Sequence, residues 1–373
     1  MAENDSSRSP TVNRRAFLAA GAATTAALAG CTGSGEGDGT VTGSSASSSE
    51  VLRVSTWSGA NTDVFKNVIK PRYEDRTGNT LEVVGNWSGI VPKVRQSPED
   101  DPPFDVTVGG GRINYRGNQG DLWEPVRYDN LSNSGAIKDR LMGSQAAETA
   151  VPVAYGVHAY VYNEDATTWT PETWADMVSE EASNVTLASG FWLKNLMMAA
   201  VIDDSEPLAR EVYDRDNADE LFDILRDIPV STFYEGAQDL WTTLEQGLAN
   251  VGHYFFAYGL AKARSTETMN IGVTVPEQTT GYTDYYHVVR GSGKRETAEG
   301  FLDFLISPEM QTAYADEFGL GMANAETEYP DVTAENVPTA NEELGNVAFR
   351  DFARVAKYSS DLNEEYRQLV QNN

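Results

Sequence analysis

VPVAYGVHAYVYN (residues 151–163) is rich in valine and tyrosine and reads as one long strand. The chain on either side of it alternates strand with helix. Upstream, VLRVSTW (51–57) and TLEVV (80–84) read as strands flanking a helix over Val64–Arg76 that Pro71 interrupts. A short helix near Val91 and the strand FDVTVGGG (104–111) follow. Downstream, Thr170 with Pro171 in the next position predicts a helix start, and further helices fit Phe191–Ile202, Ala218–Ile228 and Glu235–Asn250. Strands VGHYFFA (251–257), NIGVTV (270–275) and YYHVVRG (285–291) come next, then a helix in RETAEGFLDFLIS (295–307) and another begun by Ser307 and Pro308. Such alternation predicts an α/β protein with mostly parallel sheets covered by helices, and ligands at the carboxyl ends of strands. The conspicuous residues fall at such ends. Trp57 closes the first strand, Trp87 follows the second, Gly109-Gly110-Gly111-Arg112 follows the third, and Tyr282 to Tyr286 opens a late one.

The N-terminus resembles a twin-arginine export signal ending in a lipobox. Arg14 and Arg15 precede an apolar run from Phe17 to Ala29, which ends in Leu28-Ala29-Gly30-Cys31. The run is 13 residues long, short of the roughly 20 needed to span a bilayer, so residues 1–30 read as a cleaved signal. Cys31 is the single cysteine, which places lipid attachment there and excludes an intrachain disulfide. Residues 31–50 carry almost nothing to bury and read as a flexible tether. The expectation is a folded body held on the extracellular face of the membrane.

The chain has 56 acidic and 28 basic residues, a net charge of -28, and only eight of its bases are lysine. This composition resembles that of proteins from extreme halophiles, in which concentrated salt screens the self-repulsion. It speaks against nucleic acid, because phosphate binding needs clustered Lys and Arg. His158, His253 and His287 lie far apart without metal-ligand spacing, and no cofactor is expected. Gly291-Ser292-Gly293 lacks the spacing of a nucleophile elbow, and GSGKRE (291–296) is no phosphate loop. An extracellular glycosidase stays open, but it needs two carboxylates facing each other across a cleft, and Asp284 is the one nominee.

The order of these segments resembles the solute-binding proteins of ABC importers, specifically the spermidine/putrescine-binding branch. The resemblance covers about residues 51–370. It is carried by VPVAYGVHAYVYN, by DLWTTLEQGLANVGHYFFAYGLAKA (239–263), by TGYTDYYHVVRGSGKRETAEGFLDFLISPEMQ (280–311) and by the terminal EEYRQLV (364–370). It implies two α/β lobes joined by crossing strands with the solute in the cleft between them, a permease as partner and no catalysis. The expected lobes are residues 51–154 with 284–330, and residues 155–283, followed by a C-terminal helical segment over 331–373, the whole acting as a monomer. Within the resemblance, Trp57 packs on an amine solute, Tyr282 stacks on its carbon chain and Asp284 binds its ammonium. Trp87, Arg112, Tyr155, Trp192, Tyr254 and Tyr286 complete the expected contacts. The chain departs from the branch at Gly59 and Ala60, at Arg112, and at Phe191, Trp192 and Asn195, where the branch has acidic or aromatic residues. A solute with one amine and one anionic group, the latter on Arg112, follows as the expectation. A ferric-iron protein with Tyr285 and Tyr286 as phenolate ligands is the alternative within binding proteins, though adjacent strand residues face opposite sides.

Overall fold

The computed structural model describes residues 49–142, 148–203, 212 and 215–373. Arg14, Arg15, Cys31 and the tether through residue 48 lie outside the described residues. The strands are β1 (Val51–Trp57), β2 (Thr80–Asn86), β3 (Val106–Gly109), β4 (Val151–Asn163), β5 (Val185–Ala188), β6 (Val230–Tyr234), β7 (Val251–Phe255), β8 (Ile271–Thr274), β9 (Thr279–Val288), β10 (Gly321–Met322) and β11 (Val347–Phe349). Their order across the sheet is β2-β1-β3-β9-β4-β7-β5-β6. At one end β2, β1 and β3 run parallel, and at the other β7, β5 and β6 do the same. Between them β4 and β9 run antiparallel to each other and to their outer neighbours. The stretch 151–163 is thus the strand that carries the chain from one half to the other. Its first seven residues pair with β9, and His158 onward pairs with β7 and then β8.

Each half has its own core. Leu52, Val54, Leu81, Val106 and Val108 of the first sheet end are buried against Phe65 and against Phe301 and Leu302. In the second half Trp174, Leu187, Leu196, Met197 and Phe222 form a separate cluster. The C-terminal residues 331–373 are divided between the two, since Val337 and Leu344 join the first core while Phe352, Tyr358 and Tyr366 join the second. Among the described residues no helix is long and apolar enough to cross a membrane.

Two local readings of the sequence change. Helical backbone does not break at Pro71: α1 (Ala60–Val64) passes through a π-helical turn, Phe65–Ile69, into α2 (Lys70–Thr77). Pro71 lies just after that π-helical turn, whose altered bonding pattern accommodates a residue without a backbone N–H. No helix starts at Thr170 and Pro171. Instead a capping box formed by Thr173 and Asp176 starts a short 3₁₀ turn, Trp174–Val178, because a side chain three residues on satisfies the N-cap amide.

The central strand uses one device three times. Gly156 faces Tyr282 across β9, Tyr155 faces Gly321 across β10, and Tyr162 faces Gly272 across β8. In each pair the ring lies over the glycine so closely that a Cβ there would come within 2.0–2.3 Å of ring atoms. A glycine opposite an aromatic leaves the ring nowhere else to go, which fixes register as well as packing.

Candidate solute-binding cleft

A cavity of about 490 Å³ opens where the two halves meet. The first half contributes Trp57 from the end of β1, Trp87 from the loop before α3 (Ile90–Gln96), and Arg112 from α4 (Gly111–Asn118). The second half contributes Trp192 and Lys194 from α5 (Trp192–Ile202) and Phe255 from the end of β7. Tyr282 and Asp284 come from crossing strand β9, and their spacing of two puts both on the cleft side of the pleat.

Asp284 forms the anionic floor. The residue is 3% exposed, and its carboxylate accepts a hydrogen bond from the Trp57 indole N–H at 2.8 Å. Burial raises its pKa from 3.8 to about 7, against the pull of the Trp57 bond and the positive field of Arg350. Rings surround it. Trp57 meets Trp87 edge-on at 5.9 Å, Trp87 meets Tyr258 at 6.2 Å, and Phe255 meets Tyr282 at 5.0 Å. Such a box presents negative ring faces, suited to the ammonium or methylenes of a small organic cation.

Of the nine nominated contacts, Trp57, Trp87, Arg112, Trp192, Tyr282 and Asp284 line the cavity. Tyr155, Tyr254 and Tyr286 do not. The Tyr155 ring is committed to Gly321 and its hydroxyl donates to Pro338 O at 2.6 Å. On β7 it is Phe255 that lines the cleft, while Tyr254 is buried against Trp241. Tyr286 shares the face of Tyr282 and Asp284 but lies further along β9, under the end of β1. There it stacks on Phe65 and its hydroxyl bonds Thr56 at 2.7 Å. Tyr285 packs with Ala150, so the adjacent phenols diverge and do not form one ligand set.

Three basic residues that line the cavity were missed by sequence reasoning: Arg116, one helical turn after Arg112, and two from other segments, Arg350 and Lys194. Arg350 lines the cavity with its guanidinium 5.5 Å from the Tyr282 ring centroid. No local pattern marks it, because it reaches the cleft from the far C-terminal segment. Lys194 is 1% exposed, donates to Tyr234 Oη at 2.9 Å, and has four aromatic rings between 5.3 and 5.7 Å from its ammonium. Burial pulls its pKa well below the ordinary lysine value. A lysine inside the apolar run WLKNLMMAA (192–200), in a chain with eight lysines, was the available signal.

Residues 69–342 match the family of bacterial extracellular solute-binding proteins. The chain belongs to that family. Among curated protein sequences none matches it. Solved structures share its fold at low identity. One is the spermidine/putrescine ABC transporter substrate-binding protein PotD from Streptococcus pneumoniae, in complex with calcium and HEPES (19% identity, 86% of this chain and 100% of that chain, TM-score 0.69). Others are the Atu4243 GABA receptor (16%, 84% and 96%, 0.69) and the periplasmic binding protein MotA from A. tumefaciens B6 in complex with glucopine (15%, 87% and 100%, 0.67). These likenesses establish the two-lobed α/β fold of solute-binding proteins. The matched family consists of solute binders rather than enzymes.

The glycine beneath Tyr282 gives a direct test of how this solute-binding protein shapes its cleft. A Cβ at Gly156 would stand 2.3 Å from the Tyr282 ring, so Gly156→Ala must push that ring toward the cavity or distort β4. The expected result is a loss of about 1–3 kcal/mol of stability together with weaker solute binding. Thermal melts and a binding titration check it, and a variant unchanged in both would show that the glycine does not position the ring.

Proposed function

We propose that this protein is the extracellular capture component of an ABC importer, which takes a small amine-containing solute, polyamine-like or zwitterionic, into the cleft and delivers it to a membrane permease. The observation that carries the amine is Asp284, a buried carboxylate held by Trp57 at the bottom of an aromatic box. Family membership supports the capture role, and the solved relatives include a GABA receptor and a spermidine/putrescine transporter component. Closure of one lobe (51–154 with 284–330) on the other (155–283), with β4 and β9 as hinge, would then enclose the solute. A thermal-shift screen of amines, amino acids and oligoamines in molar salt tests the reading, because a ligand that binds only the folded state raises its melting temperature. Failure of every amine-bearing compound to stabilise the protein would remove the amine assignment.

The export and anchoring part rests on Arg14, Arg15 and Cys31. Cys31→Ser is expected to shift the protein from the membrane fraction to the medium, since the lipid attachment would be lost. A variant that fractionates with membranes like the parent would refute lipidation at this residue.

A further inference from the structure

We infer that the solute is an aminocarboxylate, whose acid end is bound by Arg112 and Arg350 while its amine faces Asp284. The inference deepens the capture reading above and rests on it. Among the described residues that line the cavity there are three arginines, Arg112, Arg116 and Arg350, beside the buried Lys194, whose pKa burial pulls well below its ordinary value, and one carboxylate, Asp284. This is the reverse of the chain as a whole, where acids outnumber bases two to one. With 56 acidic residues to draw on, the fold pairs many of its arginines, Arg53, Arg127, Arg215 and Arg295 among them. Arg112 and Arg116, both exposed at the mouth of the cleft and one helical turn apart, have no ion pair among the described residues. Desolvation at the cleft, and after it repulsion from Arg116, lowers the pKa of Arg112, a cost that a bound anion would offset.

The backbone points the same way. The first intrahelical donors of α4 are Ile113 and Asn114, which both reach Gly110 O, so the amides of Gly111 and Arg112 lie ahead of the helical bonding pattern. Gly110 has open space where a Cβ would be, and no side chain caps the helix. From the facing half, α5 also presents its N-terminal residues to the cavity without a side-chain cap. Helix N-termini carry partial positive charge and favour an anion, adding to the guanidinium groups that line the same cavity. A diamine has one possible anionic partner here, already shared with Trp57, and its second ammonium would face arginines. A carboxylate in that place forms charge-assisted bonds with a planar guanidinium instead.

The test uses the full-length chain in concentrated salt and follows tryptophan fluorescence, since Trp57, Trp87 and Trp192 line the cavity. The probes are matched series of ω-aminocarboxylates, α,ω-diamines and α,ω-dicarboxylates of equal chain length. The expected order places aminocarboxylates first, with Arg112→Gln weakening them about tenfold or more and leaving diamines unchanged or improved. Arg112→Lys should restore part of the loss by returning the charge without the planar fork. Tightest binding by diamines, or an Arg112→Gln variant that binds aminocarboxylates as well as the parent, overturns the inference and leaves amine capture standing. Tightest binding by dicarboxylates keeps the acid subsite and removes the amine. No binding by any series overturns both.

Discussion

Asp284→Asn is expected to make the empty protein more stable at about pH 8 while weakening an amine-bearing solute tenfold to a hundredfold. The two effects share one cause. Burial raises the Asp284 carboxyl from 3.8 to about 7, so the folded chain holds this proton more tightly than the unfolded chain does. A raised carboxyl contributes stability that is fully present below the unfolded value near 4 and is lost as pH rises through about 7. At pH 8 the wild type therefore carries the cost of a buried carboxylate, on the order of 4 kcal/mol at most from the size of the shift. Asn keeps an acceptor for the Trp57 indole without that charge. The variant gains where the parent pays most, and the difference should vanish toward pH 4. Binding runs the other way, because a charge-assisted hydrogen bond to an ammonium is worth about 1.5–3 kcal/mol. In the parent, amine affinity should fall as pH drops below about 7 and Asp284 takes up a proton, and in the variant this dependence should disappear. Melting curves across pH, with titrations at the same points, decide the matter. A variant that melts lower at pH 8 and binds as well as the parent would make Asp284 a structural residue.

How far such a site is legible in sequence depends on how local its signals are. Strand and helix alternation, and the length of 151–163, carried the fold, because period and breaker residues act within a few positions. Tyr282 and Asp284 were found together because a spacing of two on one strand is a geometric fact before any tertiary contact exists. Tyr286 obeys the same spacing and still misses the cleft, since what covers it, Thr56 and Phe65, comes from over two hundred residues away. Tyr155 was lost to a partner, Gly321, that only the pairing of β10 with β4 brings near. Arg350 is the sharpest case. It lies in a segment read only as helical, yet β11 pairs with β9 and sets the following residue over Tyr282.

Removing salt is expected to unfold this protein, or at least to expand it, at temperatures where it is compact in molar salt. The net charge of -28 is spread over a surface on which acids outnumber bases two to one, so most carboxylates have no cation to meet. At about 1 M salt the screening length is roughly 3 Å and each carboxylate interacts with little beyond its neighbours, whereas at 0.01 M it is about 30 Å and the whole surface repels itself. Ion pairs whose carboxylate is enclosed resist this change, although their cations, Lys294 and Arg127, stay 30% and 40% exposed. Asp105, whose side chain is fully enclosed, keeps Lys294 at 3.0 Å, and Glu299 keeps Arg127 at 2.6 Å, so screening acts on these pairs less than on two fully exposed charges. They hold β3 and the helix Arg295–Leu305 in place but offset only their own charges. The same reasoning separates the cleft from the surface. A far field that is strongly negative in dilute buffer would oppose the carboxylate end of the proposed aminocarboxylate, while concentrated salt screens that field and affects the proposed short-range contacts with Arg112 and Arg350 much less. Circular dichroism and small-angle scattering during stepwise dialysis should therefore show loss of helix signal and a growing radius as salt falls, with recovery when salt is restored. A melting temperature that does not depend on salt would mean that the acidic surface is not what limits stability.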